Sequence, residues 1–249
     1  MKEITMDLFC DSITDLIGQL RDSQMPNIEK AAAICADSIA QGGVVHVFGS
    51  GHSVGFGMEM REFPGSLVPI HLIQRDDFVL AGKVSLQEFK DPVNVFERRS
   101  GIADKLYDLY DVRPADCFII ISNSGINGLV IDMAITARQR GHKVIVVTSW
   151  QHTNAEPSRH PSGKKLYELS DVMIDNCGPR GDAMLPTDGV EKICSASAIT
   201  GAFIAQSISI QTAALLAKRG LDVPVLIGGD DPAAKEHDRR LLDSYRGRI

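Results

Sequence analysis

The stretch that most constrains the fold is FIIISNSGIN at residues 118–127. Four consecutive apolar residues stop at a serine-rich loop, and a helical pattern follows, with Leu129, Met133 and Ala137 at i, i+4 and i+8. An unbroken apolar run suits a parallel strand buried on both faces, so the pattern predicts strand, tight loop and helix in succession. Ser122, Ser124 and Gly125 then fall at the C-terminal edge of that strand, where open α/β sheets receive ligands.

The residue types say what such a loop can hold. The first backbone N–H groups of a helix lack internal partners and together carry roughly half a positive charge, which suits an anion. Ser122 and Ser124 add hydroxyl donors, and Gly125, without a Cβ, lets the backbone approach a phosphate. No lysine stands in the loop, which argues against nucleotide hydrolysis of the GxxxxGK[ST] kind. Taken alone, SNSG is equally compatible with Ser124 acting as a plain helix cap.

A second loop of the same kind shifts that balance. Residues 44–48 form an apolar, β-branched run that leads into GSGHS at residues 49–53, and a helix is expected through Gly57 and Met60. A lone Gly-x-Gly after a strand also begins a dinucleotide fingerprint. Here the third fingerprint position holds Val54 instead of glycine, Gly55 comes one place late, and the ribose-binding acid would have to be Asp76 or Asp77 beyond the next strand. Phosphate binding is the better reading of both loops.

A chain of 249 residues can bury one substantial core, so one domain over residues 1–249 is expected. The net charge of −6, with acids and bases interspersed, offers no basic stripe to a nucleic-acid backbone. No apolar stretch reads as approaching the roughly 20 residues that span a bilayer, and Asp7, Asp11 and Asp15 stand where a signal peptide would be apolar. The expected protein is soluble and cytoplasmic, with neither nucleic acid nor membrane as partner. Its five cysteines are dispersed without a CxxC pair, which favours reduced thiols, mostly in the core. The seven histidines show no ligand spacing, so neither a metal nor another cofactor is expected.

Along the rest of the chain, residues 4–21 read as one helix and Pro26 as the start of a second, ending before Gly42 and Gly43. Residues 67–73 read as the second strand and residues 74–96 as irregular, a lid or an inter-subunit segment. Arg98 and Arg99 read as solvated charges before a short helix at residues 102–110. VIVVT at residues 144–148 is another buried strand, residues 150–163 a loop, and residues 172–174 the last short strand. A long alanine-rich helix is expected over residues 191–218, with a serine cluster at 195–197. Residues 223–227 read as extended, and a charged helix begins with Asp231 as N-cap and Pro232 as first residue.

Taken together, VHVFGSGHS, FIIISNSG and VIVVTS resemble a SIS (sugar isomerase) domain over about residues 26–218. More narrowly, GSGHS, ISNSG, SRHPSGKKLYE, DNCGPRGDA and the Gly-Gly-Asp-Asp tail resemble one bacterial SIS family, some of whose members carry a phosphoheptose isomerase label. The resemblance implies an α/β, flavodoxin-like three-layer sandwich on a five-stranded parallel sheet, here with extra N-terminal and C-terminal helices, that binds a sugar phosphate. It carries the family's SxSGx[ST] loop onto Ser122, Asn123, Ser124 and Gly125, with Asn127 where Thr or Ser is usual. The first family loop falls on Ser50, Gly51, His52 and Ser53. The third sugar-contacting segment, often Ala-Ser-Thr, falls on Ala196 and Ser197, with Ala198 in place of Thr.

An aldose–ketose isomerase moves a proton between adjacent carbons through an enediol, which calls for a carboxylate or imidazole in reach of both, and a second group to open the ring. SIS isomerases often supply an acid or histidine from the helix after the first loop. Glu59 is the best match, with Glu62 a turn further along the same face; both also fit a solvated helix surface. Glu191 at the start of the long helix and His237 in the tail are weaker candidates. Two other readings stay open. One is a non-catalytic phosphosugar sensor, and the other is an amino-sugar-phosphate lyase (etherase) using Glu59 with Glu62 or Glu191. A homodimer or homotetramer is expected in each case.

Overall fold

The computed structural model describes residues 4–187 and 190–249. The chain opens on helix α1 (Met6–Ala40) and strand β1 (Val45–Gly49), followed by the short helix α2 (Val54–Met58) and strand β2 (Ile70–Ile73). Three one-turn helices, α3 (Asp77–Leu80), α4 (Leu86–Phe89) and α5 (Ala103–Tyr107), lead to strand β3 (Cys117–Ile121) and helix α6 (Gly128–Gln139). Then come strand β4 (Lys143–Thr148), helix α7 (Trp150–Ala155), strand β5 (Val172–Asp175) and a hairpin of β6 (Ala183–Thr187) and β7 (Val190–Ser195). Helices α8 (Ala196–Lys218) and α9 (Pro232–Ser244) complete the order.

Strands β1 to β5 form a parallel sheet in the order β2-β1-β3-β4-β5, the five-stranded sheet expected. Side chains alternate across a strand, so the apolar runs split between two cores. Val45, Val47, Ile119, Ile121, Ile145 and Val147 face α1 and α8. Phe48, Phe118, Ile120, Val144 and Val146 face α6 and its neighbours. Both faces are dry, which is why the strands read as continuous apolar runs.

Several expectations need correction. Helix α1 runs unbroken through Pro26. Proline removes one helical N–H, but Pro26 and Asp22 are both exposed, so the carbonyl it frees can be solvated, while buried Leu20 and Ile28 hold the helix on either side. Strand β2 starts at Ile70, because Leu67 instead makes an antiparallel bridge to Val225 in the tail. Residues 150–155 are helical, capped by the Ser149 hydroxyl. Residues 190–195 form the second arm of a hairpin, so the long helix begins only at Ala196 and β5 is not the last strand. Asp188 and Gly189 lie outside the described residues.

Helix α8 corrects the reading of the apolar stretches: its mean hydropathy of 1.4 makes it long and apolar enough, by length and composition, to cross a membrane. Thr200, Gly201, Ile204, Ala205, Ile208, Thr212 and Leu216 follow the helical period, and all are buried. Ile204, Ala205, Ile208 and Leu216 share one core with Ile28, Ala31, Cys35 and Ala36 of α1, which accounts for that apolar character within the fold.

The N-terminal edge of the sheet is closed by charge. Asp116 is 3 % exposed and accepts hydrogen bonds from Val44 N–H at 2.8 Å, Arg113 N–H at 2.7 Å, His46 Nε2 at 3.1 Å and Arg248 Nη2 at 2.8 and 2.7 Å. Burial alone would raise its carboxyl, but these donors outweigh it and hold Asp116 well below the usual carboxylate range. Since Asp116 can only accept, His46 donates from Nε2, and its Nδ1 is hydrogen-bonded to His71 Nδ1 at 3.0 Å. Burial, and then the neighbouring His46, push the His71 ring down to about 3.

Candidate functional site

At the opposite, C-terminal edge the chain leaves β1 through Ser50 and a 3-10 turn at Gly51–Ser53. Gly51 adopts φ +57°, a conformation that favours glycine. Ser53 N–H donates to Ser50 O at 3.2 Å. The Ser50 and Ser53 hydroxyls and the exposed His52 ring have no hydrogen-bond partner among the described residues, although Ser50 is only 9 % exposed. A hydroxyl that the fold leaves without a partner at a strand end is available to a ligand.

The loop after β3 divides its work. Ser122 is a brace: its N–H donates to Val147 O at 3.1 Å and its Oγ accepts Gly125 N–H at 3.1 Å. Gly125 has φ +62°, and a Cβ there would lie 2.4 Å from Thr153 Oγ1 and 2.9 Å from Thr148 Oγ1, so any side chain would force the loop open. The Ser124 carbonyl accepts the Thr153 hydroxyl, leaving the Ser124 hydroxyl unpartnered among the described residues. Asn127 precedes α6 without capping it by its side chain. Its Nδ2 donates to Glu97 Oε1 at 3.1 Å, and its Oδ1 accepts from Arg159 Nη1 at 2.7 Å.

A cleft of about 190 Å³ opens on the α8 side of this edge. Ile121, Val147, Phe56, Ala198 and Ala202 give it apolar walls, and His52, Ser53, Glu59, Asn123, Asn176 and Ser197 supply the polar groups. The structure thus gathers five of the anticipated residues, His52, Ser53, Glu59, Asn123 and Ser197, into one cavity. Ser50, Gly51, Ser122, Ser124, Gly125 and Asn127 are not among its lining; they form the loops beside it.

Asn123 is fixed at both ends. Its Oδ1 accepts Asn176 Nδ2 at 2.8 Å, and its Nδ2 donates to His152 Nδ1 at 3.4 Å. Burial lowers the His152 pKa, which favours the neutral ring that this bond requires. Ser197 is held by Asp182, whose Oδ1 accepts Ser197 N–H and whose Oδ2 accepts Ser197 Oγ, each at 2.8 Å. With its proton committed to Asp182, Ser197 turns lone pairs to the cleft and can accept from a sugar hydroxyl.

Helix α2 ends at Met58, so Glu59 is its C-cap and lies exposed at the cleft, with no partner for its carboxylate among the described residues. Glu62 does not share a helical face with it: the chain has left the helix, Glu62 has φ +65°, and its carboxylate pairs with Arg61. Glu191 sits in β7 instead of at a helix start. His237 Nε2 donates to Val225 O at 3.2 Å, within its own chain. Arg99 pairs with Glu88 and stacks over Phe96, so it is not a free solvated charge.

Sequence reasoning missed Asn176, His152, Asp182 and Glu97. Asn176 directly follows β5 and was open to the same strand-end argument as the serines. His152 lies in the short helix α7, where the sequence reads as loop, and Glu97 and Asp182 come from irregular segments, where no period points to a site.

The SIS domain profile matches residues 8–149, and the chain belongs to that family. Within it, the chain is one of the UPF0309 proteins. It is 32% identical over 245 residues to the UPF0309 protein of Geobacillus thermodenitrificans, covering 98% of this chain and 96% of the relative. It is 34% identical over 224 residues to that of Geobacillus kaustophilus, covering 90% and 87%. Among solved structures, the fold is similar to a phosphoheptose isomerase from Neisseria gonorrhoeae, with TM-score 0.54 and 16% identity over 85% of this chain and 96% of that one. A phosphoheptose isomerase from Francisella tularensis aligns with TM-score 0.52 and 17% identity over 83% and 95%.

Proposed function

We propose that the C-terminal edge of the sheet binds a sugar phosphate and that the protein interconverts its aldose and ketose forms. One observation carries this reading: among the described residues the hydroxyls of Ser50, Ser53 and Ser124 stand unpartnered at the ends of adjacent strands, with the carboxylate of Glu59, likewise unpartnered, on the neighbouring cleft. The hydroxyls and the start of α6 take the phosphate. Asn123, Asn176 and Ser197 orient the sugar hydroxyls. Glu59 removes the C2 proton of the open-chain aldose, leaving an enediolate; the O2 hydroxyl proton passes to O1 and Glu59 returns its proton to C1, so that the C2 carbonyl of a ketose forms while C1 becomes an alcohol.

The test is Glu59→Gln, assayed with hexose, heptose and pentose phosphates. Binding should persist while solvent-deuterium incorporation falls by about 100-fold or more; unchanged incorporation removes Glu59 from the reaction. A cytoplasmic homodimer or homotetramer belongs to the same proposal. Sedimentation reporting a monomer would remove that part.

A further inference from the structure

Isomerisation of a cyclic sugar needs two proton transfers, one to open the ring and one between carbons, and Glu59 accounts for only the second. A carboxylate for the first stands on the other face of the sheet. Phe96, 1 % exposed, is buried with Phe78 in the core on the α6 side and anchors the 3-10 turn Phe96–Arg98. Phe56 and Met60, which bracket Glu59 in sequence, belong to the core on the α8 side.

Glu97 bridges the two ligand loops. Its Oε1 accepts Asn127 Nδ2 at 3.1 Å, and its Oε2 lies 3.1 Å from where a Cβ on Gly51 would stand, so glycine makes room for it. Arg75 Nη1 approaches Oε2 at 3.8 Å. Gly51 follows β1 and Asn127 follows β3, and in the order β2-β1-β3-β4-β5 the chain turns away from these two neighbours in opposite directions. The carboxylate thus sits at the crevice where sheets of this topology bind ligands.

The side chain is 25% exposed, yet Asn127 supplies its one hydrogen bond within ordinary distance among the described residues. Most of the acceptor capacity of the carboxylate is unused. A glutamine would accept the Asn127 bond equally well without the cost of partly burying a charge, so bracing Asn127 does not explain a carboxylate here, and Arg75 at 3.8 Å offsets that cost only as a long, partly exposed ion pair.

Building on the isomerase reading, we infer that Glu97 is the acid–base group that opens the sugar ring, working across the sheet edge from Glu59. Its carboxylate takes the proton of the anomeric hydroxyl as the bond from C1 to the ring oxygen breaks, and the resulting acid returns that proton to the ring oxygen. The product is the open-chain aldehyde, with no net oxidation or reduction.

The test compares the wild type, Glu97→Gln and Glu59→Gln with glucose 6-phosphate, ribose 5-phosphate and a heptose 7-phosphate. Binding is read by thermal shift, ring opening by NMR exchange between anomers, and carbon proton transfer by deuterium incorporation. The wild type should accelerate both processes with at least one of these sugars. Glu97→Gln should bind it within threefold of the wild type and lose about 100-fold in both rates, while Glu59→Gln keeps anomer exchange and loses only deuterium incorporation. Anomer exchange in Glu97→Gln within threefold of the wild type would overturn the assignment and leave the isomerase reading standing. A parallel loss of binding and both rates would also overturn it, making Glu97 a positioning residue for Asn127. A wild type that binds these sugars without incorporating deuterium would overturn the isomerase reading itself, and the assignment with it. Should Glu97→Gln fail to fold, Glu97→Asp decides: anomer exchange is expected to fall at least tenfold, and an unchanged rate would overturn the proposal.

Discussion

At the N-terminal edge of the sheet, Asp116 is saturated by Val44, Arg113, His46 and Arg248, and the chain's penultimate residue is locked into the fold by that one carboxylate. At the C-terminal edge of the same strands, the Ser50, Ser53 and Ser124 hydroxyls and the Glu59 carboxylate have no partner among the described residues. Hydrogen bonds made within the fold contribute to stability; those left unmade are available to a ligand. The difference teaches that the two edges should respond to substitution in opposite ways.

The largest effect should come from the closed edge. Asp116→Ala leaves Arg248 and His46 without their buried acceptor and should cost about 3–5 kcal/mol, read as a lowered urea midpoint. Gly125→Ala, which forces a Cβ against Thr153 and Thr148 at positive φ, should cost about 1–3 kcal/mol and weaken sugar-phosphate binding as the loop shifts. It belongs to both edges' logic, since a structural demand there shapes a ligand loop.

Acidification should act on the closed edge, with His152 beside the cleft adding a loss in the same direction. An unfolded His71 takes up its proton near the ordinary value of 6.5, the folded ring only near about 3, so between these values the unfolded chain binds more protons and stability falls as pH falls. Asp116, held below its ordinary value, adds a further loss in the same direction at lower pH, once the unfolded carboxyl protonates. Urea midpoints at pH 7, 5.5 and 4 should decline, and His71→Gln should flatten that decline. The smallest stability effect should be that of Ser124→Ala, within about 0.5 kcal/mol of the wild type, while it weakens sugar-phosphate affinity by roughly tenfold through loss of one hydrogen bond to a charged group. A large stability loss in Ser124→Ala would break the contrast between the edges.

The closed and open edges were not equally legible in the sequence. Runs such as FIII and VIVVT declare parallel strands because both sheet faces are dry, and the hydroxyl loops follow from where those strands stop. The Asp116 network stayed hidden because it joins residues from β1, β2, the approach to β3 and the C-terminal tail, which no local period connects. The same holds for Glu97 and Asp182, placed by irregular segments whose course depends on packing of Phe96 or pairing of the β6–β7 hairpin. Pro26 misled because its exposed position, which lets α1 continue, is a tertiary fact. Glu62 misled because α2 ends a turn early, at Met58.

The central claim is that the open edge is a cradle for a phosphorylated sugar. The most direct test is the thermal stability of the wild-type protein against hexose, heptose, pentose and amino-sugar phosphates, each beside its unphosphorylated sugar. A ligand at 100 times its dissociation constant should add about 2.7 kcal/mol. The account predicts stabilisation by at least one sugar phosphate and none by its unphosphorylated partner; no stabilisation by any phosphorylated sugar would contradict it.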